Sequence, residues 1–187
     1  MPLVRPPRIG PWKRTCTTVV GDYRVFVVEQ HGLEDPSGKP CRDVHTFRCP
    51  DWCNVLAVTP SDELVLVWQY RHGTGTMSLE LPGGLVEPGE DPASAALREL
   101  REESGYEAGS ASLLSRVEPN PALQGNVLHS YLARDVRPTG AQEFDELEEL
   151  EVALVPVRDA PRLIDEGHVR HALSITAIEA FLRRHVR

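Results

Sequence analysis

Apolar residues along this chain come mostly in strand-sized runs, broken by clusters of Gly, Pro, Asp and Ser. Cys53 to Thr59 and Glu63 to Tyr70 are dense in Val and Leu and flank Pro60-Ser61-Asp62, so they read as a strand pair around a turn. Tyr23 to Glu29 and Arg42 to Phe47 form an earlier β-like pair. Between them lie His31-Gly32 and the turn-rich Asp35-Pro36-Ser37-Gly38-Lys39-Pro40, which predicts an N-terminal hairpin. Further strands are expected at Met77 to Leu81, Ser112 to Val117, Val127 to Ala133 and Leu150 to Pro156. Met1 to Lys13, rich in Pro and Arg, reads as an extended arm. Helical periodicity enters after Asp91, around Ala160 to Glu166, and from His171 to Arg184, where Ala172, Ile175, Ile178 and Leu182 make a packing stripe.

The helix after Asp91 is the informative one. Asp91 can accept from the first free N–H groups, Pro92 tolerates the first helical position, and Gly105 is a stop. Ala93, Ala96, Leu97 and Leu100 supply an apolar stripe. At about 100° per residue, Glu99, Glu102 and Glu103 fall within an arc of roughly 100° on another side. Like charges so placed repel, at ~0.2–0.5 kcal/mol for each exposed pair. A bound cation would relieve that, and hard oxygen ligands without His or Cys favour Mg²⁺ or Mn²⁺ over zinc. The plainer alternative is a solvated acidic helix laced by Glu–Arg pairs. Arg98, four residues before Glu102 and eight after Glu90, can tie the preceding loop to the helix. That loop, Leu81-Pro82-Gly83-Gly84, lets backbone approach a metal or phosphate closely, or simply makes a turn.

Composition narrows the setting. A chain of 187 residues with 41% hydrophobic residues can bury a core without staples. A net charge of −8 argues against nucleic-acid or anionic-membrane binding. No apolar run approaches the roughly 20 residues that span a bilayer. The four cysteines lack paired CxxC spacing and no signal-peptide pattern opens the chain, so a reducing cytoplasm is expected. Cys49, Cys53 and His45 form a conceivable zinc set, set against ordinary buried thiols.

From Gly84 to Tyr106 the chain reads GLVEPGEDPASAALRELREESGY, with Gly84, Glu90, Arg98, Glu99, Leu100, Glu102, Glu103, Gly105 and Tyr106 at the defining positions of a Nudix box. The chain therefore resembles a Nudix hydrolase. Val67-Trp68-Gln69-Tyr70-Arg71 and Leu79-Glu80-Leu81-Pro82, with Pro119 and Pro121 beyond the box, resemble the ADP-ribose pyrophosphatase and nucleoside diphosphate sugar hydrolase branch. That resemblance implies an α+β Nudix fold, an α/β/α sandwich with a mixed sheet plus the N-terminal β-hairpin extension. Residues 1–48 would be arm and hairpin, a dimerisation element, and residues 49–187 the hydrolase domain, together one compact unit. A homodimer is implied, with a nucleotide-sugar substrate and neither nucleic acid nor membrane as partner.

The resemblance also implies roles. Gly83 (by its carbonyl), Glu99, Glu102, Glu103 and Glu148 would hold Mg²⁺, with Mn²⁺ able to substitute. Glu146 or Glu148, in the acidic segment Phe144 to Glu151, would be the general base, and Glu102 and Arg98 would also serve catalysis. Arg71, Glu80 and Pro121 would bind substrate, and Gly84, Glu90 and Gly105 would support the box. The products would be a nucleoside monophosphate and a sugar phosphate. One departure is that Met77-Ser78-Leu79 precedes Glu80, with no Trp or Phe there to stack on a base or sugar; Trp12, Trp52 and Trp68 are the substitutes, each set against an ordinary core or interface role. Alternative activities are hydrolysis of nucleoside triphosphates or dinucleoside polyphosphates, or non-catalytic nucleotide sensing.

Overall fold

The computed structural model describes residues 7–140, 142 and 149–185. The chain divides into two units, Met1–Cys49 with Asn120–Asn126, and Pro50–Pro119 with Val127–Arg187.

The first unit is built on three antiparallel strands, β1 (Lys13–Asp22), β2 (Val27–Glu34) and β3 (Pro40–Arg48), in the order β1-β2-β3. The expected hairpin is β2 and β3. The segment before it is not a loose arm beyond Lys13: Arg14-Thr15-Cys16-Thr17-Thr18-Val19-Val20 is a third strand, its β-branched residues suited to a pleat. Asp35 closes the turn between β2 and β3, its carboxylate accepting from the N–H of Ser37 at 2.8 Å and of Lys39 at 3.0 Å. Val19, Val20, Tyr23 and Val25 stand exposed. His31, by contrast, is fully buried between the hydroxyls of Thr17 (2.9 Å) and Thr46 (2.7 Å).

The second unit is a mixed sheet between helices. Its strands are β4 (Trp52–Val58), β5 (Glu63–Arg71), β6 (Thr76–Glu80), β8 (Ser112–Val117), β9 (Leu128–Arg134) and β11 (Leu150–Pro156). Two short strands, β7 (Tyr106–Glu107) and β10 (Arg137–Pro138), pair separately. The main order is β11-β5-β4-β9-β8, with β6 on β5, and β4 runs parallel to β9 while the other pairs are antiparallel. β4 and β5 are continuous apolar runs because both faces are covered. Val55, Ala57 and Val65 pack with Ala95, Ala96 and Leu100 of α1 (Pro92–Ser104). On the opposite side Leu56, Leu64 and Leu66 pack with Ile178 and Phe181 of α3 (Ala172–His185) and Ala160 of the short α2 (Ala160–Asp165). This is the α+β Nudix sandwich expected above, with a three-stranded sheet in place of the hairpin. Among the described residues, no helix is long and apolar enough to cross a membrane.

Candidate active site

Local chemistry sets the box helix. The Asp91 carboxylate accepts from the N–H groups of Ala93 and Ser94, both at 3.1 Å, and Pro92 occupies the first turn. Gly105 adopts φ 69° and its N–H closes on the Arg101 carbonyl at 2.8 Å, a left-handed cap. The buried face is Ala95, Ala96, Leu100 and Ser104, joined by Glu103, whereas Ala93 and Leu97 of the expected stripe are half-buried.

Ahead of the helix, the Pro82 and Gly84 carbonyls accept from Val55 and Cys53 of β4, each at 2.9 Å. A β-carbon on Gly83 would collide with the Cys53 carbonyl and the Asn54 backbone, and one on Gly84 with the Glu99 carboxylate. At Gly83 only glycine admits this approach, whereas at Gly84 the Glu99 side chain would have to give way. The Gly83 N–H donates to Oε2 of Glu103 at 2.8 Å, so this buried carboxylate is held against the loop.

Arg98 is the hub. Its Nε and Nη2 donate to the two oxygens of Glu90 at 3.0 and 3.1 Å, Nη1 to Glu99 at 2.9 Å and Glu102 at 3.0 Å, and Nη2 also to the Leu85 carbonyl at 3.1 Å. The bond to Glu90, and then the other carboxylates against a smaller opposing effect of burial, raises the guanidinium above its ordinary pKa. Arg98 in turn lowers the Glu90 carboxyl. Glu99, Glu102 and Glu103 thus share one side of α1, the first two clasped by Arg98 and the third by Gly83. Among the described residues no three His, Cys, Asp or Glu side chains stand as a ready-made metal cluster, Cys49, Cys53 and His45 included, and the box carboxylates are turned onto Arg98 and the Gly83 N–H. The Cys53 thiol is instead a core group, pushed up to about 12 mainly by burial.

Beside the loop lies a second charged cluster. Arg71, the last residue of β5, grips Glu80 of β6 through Nε at 2.8 Å and Nη2 at 2.7 Å. Glu80 is 1% exposed and also meets His171 Nδ1 at 2.6 Å. Burial would raise its carboxyl, but hydrogen bonds from Arg71 and His171 and their charges outweigh this and hold it at about 2. Both Glu80 oxygens are therefore engaged by protein donors. Sequence reading did not find His171. Its partner is remote in the chain, and its place just before a helix carries no spacing signal.

The remaining expected residues fall elsewhere. Pro121 belongs to the first unit, in the segment whose Leu123 carbonyl accepts from Phe47 N–H at 2.7 Å. Trp12 is exposed in that unit, Trp52 is half-buried at the start of β4, and Trp68 packs against the α3-side core. Glu146 and Glu148 lie outside the described residues, as do Glu143 and Asp145. The chain to either side of them is anchored. Thr139 N–H donates to the Gly105 carbonyl at 2.9 Å, Gln142 Nε2 to the Glu103 carbonyl at 2.6 Å, and Leu150 pairs with Gln69 of β5.

Comparison with known proteins decides the family. A profile of the NUDIX domain matches residues 52–176. The chain belongs to the Nudix family. The ADP-ribose pyrophosphatase of Bacillus subtilis (strain 168) is 32% identical over 148 residues, 79% of this chain and 80% of that protein. The ADP compounds hydrolase of Escherichia coli (strain K12) is 29% identical over 161 residues, 85% of each. A crystal structure of an ADP compounds hydrolase superposes with a TM-score of 0.83 at 26% identity, covering 95% of this chain and 97% of that one. These likenesses place the Nudix chain in the ADP-ribose pyrophosphatase branch. With its box complete, it is a hydrolase of pyrophosphate bonds.

Proposed function

We propose that this Nudix hydrolase cuts the pyrophosphate of a nucleoside diphosphate sugar, such as ADP-ribose or GDP-mannose, into a nucleoside monophosphate and a sugar phosphate. The observation that carries the reading is the box itself: three carboxylates on one side of α1, set against a loop that excludes even a β-carbon. The names of the relatives, which act on ADP-ribose and ADP compounds, support this substrate class.

The donors fit a hard divalent cation, Mg²⁺ with Mn²⁺ as substitute. Glu99, Glu102, Glu103 and the Gly83 carbonyl would hold it, joined by Glu148. When bound, such an ion neutralises diphosphate charge and polarises the water that attacks phosphorus. The chain does the rest. Arg98 and Glu90 hold Glu99 and Glu102 in register with the loop, and Gly83 N–H holds Glu103. Arg71 offers guanidinium donors to phosphate oxygens. Glu146 or Glu148 takes the proton of the attacking water. The exposed apolar surface of β1 and the β1–β2 turn supports a homodimer formed through the first unit.

The test is kcat/KM with Mg²⁺ over a panel of nucleoside diphosphate sugars and nucleoside triphosphates. The best nucleotide sugar should exceed every triphosphate. A triphosphate at the top would replace the substrate class, and unchanged rates in excess chelator would remove the metal. Glu103→Gln keeps size and hydrogen bonding but removes one charge, so its kcat should fall about a hundredfold or more while the fold survives.

A further inference from the structure

We propose that His171 is a positioning residue of the reaction: through Glu80 it fixes the guanidinium of Arg71 for the diphosphate. The role rests on the reading of Arg71 as a phosphate contact given above.

α3 packs by an apolar face, with Ile178 and Phe181 buried on the sheet. Packing of that kind asks nothing polar of its first turn. Yet this end of the helix carries three polar contacts, to the end of β6, to Leu81 just after it and to β4. His171 Nδ1 lies 2.6 Å from Oε2 of Glu80, the Ser174 hydroxyl accepts from the Leu81 N–H at 3.0 Å, and Asn54 Nδ2 donates to the Leu173 carbonyl at 3.4 Å. Ser174 also lies 3.1 Å from His171 Nδ1 and so steadies the ring. Buried polar groups are costly unless matched, so this stitching specifies where the helix end sits relative to Glu80 and Leu81.

The geometry explains why Arg71 would need such help. Arg71 ends its strand with its side chain 44% exposed, and a long side chain there loses rotamer freedom when it is held. Glu80 holds it by a two-pronged bond that fixes the guanidinium plane as well as its position. Oε2 receives Arg71 Nη2 at 2.7 Å and His171 Nδ1 at 2.6 Å, so the imidazole sets how the carboxylate is turned toward Arg71. An ionised Glu80 calls for a proton on the Nδ1 that faces it. Without His171 a buried carboxylate loses a donor, and the fork that aims Arg71 loosens.

Arg71 would contact phosphate in the ground state and the transition state alike, so the expected signature is in KM. His171→Leu should raise KM for ADP-ribose about tenfold with kcat within about twofold, equivalent to ~1.4 kcal/mol of binding. His171→Asn, whose amide nitrogen can take the place of Nδ1, should return KM to within about threefold of the original, while His171→Gln should not. In an Arg71→Ala background, His171→Leu should add nothing further. An unchanged KM in His171→Leu, equal KM values for the Asn and Gln variants, or a full tenfold loss persisting in the Arg71→Ala background would each overturn the assignment. If His171→Leu does not fold, the Asn and Gln pair decides. If the parent chain hydrolyses no nucleoside diphosphate sugar, the substrate reading fails separately, and calorimetric titration with inorganic pyrophosphate takes over the test. Weaker binding in His171→Leu that vanishes in the Arg71→Ala background supports the role, and equal binding ends it.

Discussion

One methyl group is enough to tell the two loop glycines apart. The atoms that would meet a β-carbon on Gly83 belong mostly to the β4 backbone, which cannot move without breaking the sheet. At Gly84 the obstacle is the carboxylate of Glu99, the far end of a flexible side chain. Gly83→Ala should therefore lose ~1–3 kcal/mol of stability, whereas Gly84→Ala should melt near the parent and lose hydrolysis, because the displaced group is Glu99. Thermal melts and kcat on the same preparations check both. Glu80 gives a pH signature. Its folded pKa of about 2 lies below the ordinary 4.5, so its stabilisation is complete above pH 4.5 and is lost as pH falls towards 2. A shift of that size corresponds to roughly 3 kcal/mol at neutral pH. Urea midpoints between pH 7 and 3 should fall more steeply for the parent than for Glu80→Gln. The tie from Arg98 to Glu90 and Glu102 is legible because the spacing along loop and helix sets it. His171, Ser174 and Asn54 are not, since their meaning arises only when the chain brings helix and strand together.

Elements followed the same division. β8 and β11 match their expected spans, and β4, β5 and the box helix agree to within a residue or two, because apolar runs bounded by turn residues leave few readings. β1 leaves no such mark: it is exposed along nearly all its length, so no alternation of apolar and polar positions sets it out. β7 and β10, two residues each, are too short to leave a pattern. The cap of the box helix can be tested by itself. Asp91→Ala leaves two N–H groups without their acceptor and should cost about 1 kcal/mol, read as a lowered denaturation midpoint. The segment between Gln142 and Glu149 calls for a kinetic test. Of Glu146→Gln and Glu148→Gln, the variant that removes the base should lose kcat and flatten the acidic limb of the pH profile, with metal affinity near normal by titration. If both keep the parental kcat and profile, Glu143, Asp145 and Glu149 are next.

For the whole molecule, the first unit leaves Val19, Val20, Tyr23 and Val25 in solvent, a surface that a second copy would cover. Sedimentation equilibrium of the full chain at micromolar concentration should give twice the monomer mass, and Val20→Lys should shift the balance to monomer. A strictly monomeric parent would remove the homodimer from the proposed function. The order of pairing has a further consequence, for the moment of synthesis. β1 pairs with β2 and β2 with β3, so that sheet can close soon after its strands leave the ribosome. β5 must wait for β11, and β4 for β9, each made much later. Both apolar strands carry an unmet edge until Arg134 has emerged, and β5 carries one until Pro156, the state in which growing chains adhere to one another. The hazard lies in translation, and the strand that ends it is one of the last to be made.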